Sequence, residues 1–77
     1  MIFNSTPSSI TWGTDENHRV IFTGEWTLEP RFYVNASVPI FWESTSPRRL
    51  LTIAEREYAL RNMLLDATAK GWKLVVT

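Results

Sequence analysis

The chain has 77 residues, no cysteine, and eight basic residues against eight acidic ones, for a formal net charge of zero. This length supports one domain. The absence of cysteine excludes disulfides and thiolate metal sites, and the neutral balance lacks the basic excess of a generic nucleic-acid binder. No apolar run approaches the ~20 residues that cross a membrane. Residues 1–9 lack the basic region and apolar core of a signal peptide, so the chain reads as cytoplasmic.

In chain order, residues 1–9 read as an irregular N-terminal arm, because Pro7 and three serines disfavour regular structure. From Ile10 the pattern has period two. Ile10 and Trp12 share a face, and Gly13 to Asn17 supplies turn chemistry. Val20, Phe22, Trp26 and Leu28 then fall on one side of an extended strand. Arg19, Thr23, Glu25, Thr27 and Glu29 fall on the other, with Ile21 the one apolar residue among them. This is the alternation of a sheet with one buried face. Gly24 interrupts it and suggests a bulge or bend. After a turn at Glu29-Pro30-Arg31, Phe32, Val34 and Ala36 alternate with Tyr33, Asn35 and Ser37. Pro39 precedes a short strand over residues 40–43, and residues 44–51 read as a loop.

The helix start is explicit. Thr52 followed by Glu55 is a capping-box pattern, helix formers run to Lys70, and Gly71 sits where a left-handed C-terminal cap belongs. Trp72, Leu74 and Val76 alternate as a final strand. The expected fold is α+β: a small, mainly antiparallel sheet of four to six strands, one helix over about 52–70 packed on one face, and a closing strand. At ~100° per residue, Ile53, Leu60, Met63, Leu64 and Ala67 form the stripe expected to face the sheet. Ala54, Tyr58, Leu65 and Ala69 project roughly opposite. Either the N-terminal arm covers this second group, or it is a contact surface, with Tyr58 and Leu65 as candidate contacts of a homodimer.

The residues carry little sign of catalysis. His18 is the single histidine, with no second His and no Cys to share a metal, and acid–base chemistry needs a partner held in a pocket. The three glycines are isolated, so there is no phosphate-cradling loop. The chain is therefore read as a non-enzyme without catalytic, cofactor or metal residues, acting by binding. Candidate contacts are side chains whose exposure folding does not explain. Tyr33, Phe41 and Trp42 are aromatic anchors, with Phe41 and Trp42 pointing to opposite faces of a strand. Glu25, Glu29, Glu43, Arg48 and Arg49 are charged contacts, each of which also suits a simply solvated position. A nucleic-acid module using exposed aromatics on a sheet is the alternative, disfavoured by the neutral charge.

Several short segments resemble a known family. They are Ile10-Thr11-Trp12-Gly13, Val20-Ile21-Phe22-Thr23-Gly24-Glu25, Phe32-Tyr33-Val34 and Phe41-Trp42-Glu43. A Pro-bearing loop, a long helix and Lys70-Gly71-Trp72-Lys73-Leu74-Val75-Val76 follow. Together they resemble the seventy-fourth numbered family of immunity proteins from bacterial polymorphic toxin systems, over about residues 9–77. The loop 44–51 departs from that pattern, carrying Arg48-Arg49 in place of a more acidic sequence. The resemblance implies a small cytoplasmic antidote that binds and neutralises the toxin domain of a cognate secreted protein. Against a nuclease toxin, Glu25, Glu29 and Glu43 would mimic phosphates in a basic cleft.

Overall fold

Alternating strands joined by tight turns lay down the first half of the molecule as a meander. In the computed structural model, which describes residues 1–29, 31–35, 37–43 and 47–76, the strands β1 (Ile2–Thr6), β2 (Ser9–Asp15), β3 (His18–Trp26) and β4 (Arg31–Val34) pair antiparallel in sequence order. Two short strands, β5 (Phe41–Trp42) and β6 (Arg49–Leu50), form a separate antiparallel ribbon. The helix α1 (Ile53–Ala69) follows, and β7 (Lys73–Val76) returns to pair parallel with β4. Parallel neighbours need a long crossover, which α1 and its flanking segments provide. The result is a five-stranded, mainly antiparallel sheet of order β1-β2-β3-β4-β7 with one helix against it, an α+β fold.

The strand registers decide which residues meet. Ile10 pairs with Phe22, Trp12 with Val20, Gly24 with Val34 and Trp26 with Phe32. Cross-strand partners share a face, so Ile10, Trp12, Val20, Phe22, Phe32 and Val34 form one apolar surface, and all six are buried. Helix α1 lays Ala59, Met63 and Ala67 on it. Ile40 and Leu51, from the segments around the ribbon, complete the buried cluster. At one margin the Trp12 indole Nε1 donates to Asp66 Oδ2 at 2.7 Å, tying β2 to the helix. At the other, the Trp26 ring meets Phe32 and Trp72 edge-on at 5.1 and 5.2 Å.

Both helix ends follow their sequence signals. Thr52 Oγ1 accepts from the Glu55 N–H, and the Glu55 carboxylate accepts from the Thr52 N–H, a complete capping box. At the far end Gly71 takes φ 80°. Its N–H donates to the Thr68 carbonyl while the Trp72 N–H donates to Ala67, the paired bonds of a Schellman cap.

The structure corrects several expectations. Residues 1–9 are not an irregular arm: β1 is a strand, and Pro7-Ser8 form its turn into β2. The serines and threonines serve that hairpin, with Thr6 Oγ1 and Ser9 Oγ 2.7 Å apart. No register shift falls at Gly24; the irregularities lie at Ile2/Asn4 and Gly13/Asp15. Glycine is needed at 24 because a Cβ there would strike the Tyr33 carbonyl and come within 2.7 Å of the Phe32 ring. Leu28 lies beyond the end of β3 and is fully exposed rather than buried. The expected loop 44–51 contains β6, with its residues 44–46 outside the described set, as are Pro30 and Ala36. On the helix, the buried face centres on Met63, so Ala59 joins it. Leu60 and Leu64 are half-buried, and Ile53, at 81% exposure, leaves it altogether.

Met63 is therefore the residue at the centre of the helix–sheet contact. Met63→Ala should cost ~2–5 kcal/mol through the cavity it opens, and Leu64→Ala clearly less. Denaturant unfolding of the two variants checks the order; an equal or larger loss for Leu64→Ala would contradict it. Thr52→Ala should cost about 1 kcal/mol through loss of the cap.

Candidate functional site

One helix shields one side of the sheet. The opposite side of β3 presents Arg19, Ile21, Thr23 and Glu25, and β4 places Tyr33 directly across from Glu25. The β5–β6 ribbon extends this surface, because the Glu43 N–H donates to the Arg19 carbonyl at 2.9 Å and so holds β5 beside the first half of β3. Phe41 then lines a shallow depression with Ile21, Thr23, Pro39 and Glu43. The Arg48 guanidinium lies over the Phe41 ring, 4.9 Å from its centroid, and pairs with Glu43 at 3.3 Å. Phe41, Tyr33 and Glu43 are half-buried, and Ile21, Glu25 and Arg48 are exposed.

Consecutive residues on a strand face opposite ways, and Trp42 accordingly leaves this surface. It packs on the hydrophobic core and donates its indole N–H to Glu55 Oε2 at 3.3 Å. Arg49 reaches the same carboxylate as a fork, with two bonds of 3.0 Å. Glu55 thus gathers the Thr52 N–H, the Arg49 guanidinium and the Trp42 indole. The Arg49 bonds, with the others, draw its carboxyl down to about 2 from an ordinary 4.5. This carboxylate fastens the ribbon to the first turn of the helix.

The structure consequently divides the sequence candidates. Glu25, Tyr33, Phe41, Glu43 and Arg48 come together on the open face of the sheet. Trp42 and Arg49 lie on the helix side, engaged with Glu55. Glu29 stands past the end of β3, where it pairs with Arg31 at 3.0 Å. A row of three free carboxylates, as phosphate mimicry requires, is therefore not what the fold presents: Glu29 and Glu43 each have an arginine, and Glu25 alone makes no ion pair among the described residues. Sequence reasoning placed Ile21 on this side of the strand, among polar neighbours, but did not count it among the candidate contacts. It also missed the joining of Arg49 and Trp42 at Glu55, which no local pattern reveals. Tyr58 and Leu65 are exposed on the outer side of α1. His18 sits at the β2–β3 turn against the Asp15 carboxylate at 3.0 Å.

No cluster of three His, Asp or Glu side chains suited to a metal occurs among the described residues, and none of the described helices is long and apolar enough to cross a membrane. No family model, curated protein or solved structure matches this chain.

The Glu55 network makes the fold sensitive to acid. Because folding lowers the Glu55 pKa from 4.5 to about 2, the unfolded chain takes up the proton first. The stabilisation is complete above about pH 4.5 and is lost as pH falls toward 2. Melting temperature against pH should therefore fall more steeply across this window for the wild type than for Glu55→Gln. Parallel profiles would show that the network contributes nothing.

Proposed function

We propose that this chain is a binding protein that neutralises a toxin domain by covering it with the open face of its sheet. The observation that carries the reading is a sheet surface that no described helix covers, on which apolar side chains are held among paired charges. Ile21 is exposed, Tyr33 and Phe41 are half-buried, and Arg48 is both stacked on Phe41 and paired with Glu43. Side chains already fixed by strands and ion pairs lose little freedom on binding, the condition for high affinity from a small surface. Aromatic and arginine side chains are also those that dominate binding energy at protein interfaces.

Two features support a protein as the partner. The Phe41 face toward Arg48 is already occupied by a guanidinium, so a nucleobase could stack there only by displacing it. The formal net charge of zero supplies no general attraction for a phosphate backbone. The choice of a toxin domain as that protein rests on the resemblance of Ile10 to Gly13, Val20 to Glu25, Phe41 to Glu43 and Lys70 to Val76 to the immunity-protein family.

Neutralising a lethal activity takes near-complete occupancy, which corresponds to nanomolar affinity or about 12 kcal/mol. Where a toxin domain is encoded beside this chain, co-expression of the two should restore growth of a sensitive host. Phe41→Ala and Tyr33→Ala should each weaken binding by at least ~2 kcal/mol, about 30-fold, if they are anchors. Calorimetric titration measures this, with circular dichroism verifying the fold. A soluble, folded protein that fails to restore growth would sink the toxin reading. Wild-type affinity in both variants would remove the open face from the contact.

A further inference from the structure

The ribbon carries the same trio on each of its two faces: an aromatic ring, an arginine over it and a glutamate paired with that arginine. On the open face these are Phe41, Arg48 and Glu43. On the helix side they are Trp42, Arg49 and Glu55, with the Arg49 guanidinium 6.0 Å from the Trp42 ring centroid. Trp42 and Arg49 are cross-strand partners and so share a face. The His18 ring, from the β2–β3 turn, meets Trp42 edge-on at 5.6 Å, so that turn, ribbon and helix start converge on one indole.

Glu55 is fully engaged in this junction. Its Oε1 accepts from the Thr52 N–H at 2.9 Å and from Arg49 Nη1 at 3.0 Å, and its Oε2 accepts from Arg49 Nη2 at 3.0 Å and from the Trp42 indole at 3.3 Å. These donors use up the roughly four lone-pair positions of a carboxylate. Consecutive strand residues are fixed on opposite faces. β5 therefore cannot swing Trp42 away from Glu55 without moving Phe41 on the other side.

We propose that Arg49 and Glu55 are positioning residues for the open face, which fix Phe41 by holding Trp42 and so set the affinity of a partner that they do not touch. The proposal rests on the open face being the contact surface. The ribbon has two cross-strand pairs, too few to hold its shape alone, and its backbone is tied to β3 by the Glu43 N–H bond to the Arg19 carbonyl. Loss of the Arg49 fork thus releases the ribbon as a unit while the helix and the meander persist. By linkage, a partner that binds Phe41 in its docked place also tightens the junction at Glu55.

The junction can be tested on the protein alone by native-state hydrogen exchange. The reporters are the amides of Glu43, bonded to Arg19, and Leu51, bonded to Ile40, read against the amides of α1 and β3. Arg49→Ala should speed exchange at both reporters about fivefold and leave α1 and β3 within about twofold. Arg49→Lys keeps the charge without the fork and should fall between the two. Thr52→Ala removes the helix cap but not the fork, and should leave the Glu43 amide as protected as in the wild type. Wild-type exchange at Glu43 and Leu51 in Arg49→Ala overturns the proposal, as does an equal rise across α1 and β3. Calorimetric titration with a toxin domain that the wild type neutralises supplies the second readout: Arg49→Ala should weaken binding by a similar factor. Unchanged affinity in Arg49→Ala, where Phe41→Ala does weaken binding, overturns the positioning role. Unchanged affinity in both variants overturns instead the open-face reading on which it rests.

Discussion

A single helix can shield one face of a sheet, and the arrangement of this molecule follows from that constraint. The buried apolar residues of β2, β3 and β4 are committed to the face under α1, where Met63 meets them between two alanines. Alanine at 59 and 67 lets the helix backbone come close to the strands, and Met63, a flexible side chain suited to irregular gaps, joins Phe22 and Phe32 in the buried cluster. With the core on one side, no helix among the described residues covers the other side of the sheet. Its side chains answer to solvent and to partners instead, which is why the candidate contacts collect there.

The ribbon β5–β6 modifies this plan. It is too short to be stable by itself, and it is held by attachments at both ends. The Glu43 N–H joins it to β3, and Trp42 and Arg49 join it to Glu55 at the helix start. Through these contacts one strand side supplies Phe41 to the open face while the other supplies Trp42 to the body. The aromatic pair therefore does two different jobs, one in presentation and one in anchorage, and the anchorage keeps the presented ring in place.

Much of this was legible in the amino-acid order. The capping box at Thr52 and Glu55, the glycine at 71 and the alternation through β3 are local signals, and the structure follows each of them. The failures come from interactions that are not local. Residues 1–9 have the composition of a loop, yet they pair with β2, because strand formation at an edge depends on the neighbouring strand more than on intrinsic preference. The helix stripe was drawn through Ile53, Leu60, Met63, Leu64 and Ala67, whereas the sheet takes the small Ala59 beside Met63 and Ala67 for close packing and releases Ile53 in the first turn. At the candidate site, the exposed aromatic residues could be suspected one at a time. The ion pairs that occupy Glu29, Glu43 and Arg49 arise from the fold, and no spacing rule announces them.

The parallel pairing of β4 with β7 also bears on how the chain reaches this structure. Arg31 and Lys73 are neighbours in the sheet but 42 positions apart in the chain, so closing that loop costs about 2 kcal/mol more entropy than closing a four-residue hairpin. The meander from β1 to β4 consists of sequential hairpins and incurs no such cost. It can assemble early, whereas β7 gains its place once α1 has docked and shortened the effective loop. During synthesis from the N-terminus, the meander emerges before the helix that shields it. For that interval the surface formed by Ile10, Phe22 and Phe32 faces solvent, and the rate at which α1 arrives governs the exposure of the nascent chain to misassociation.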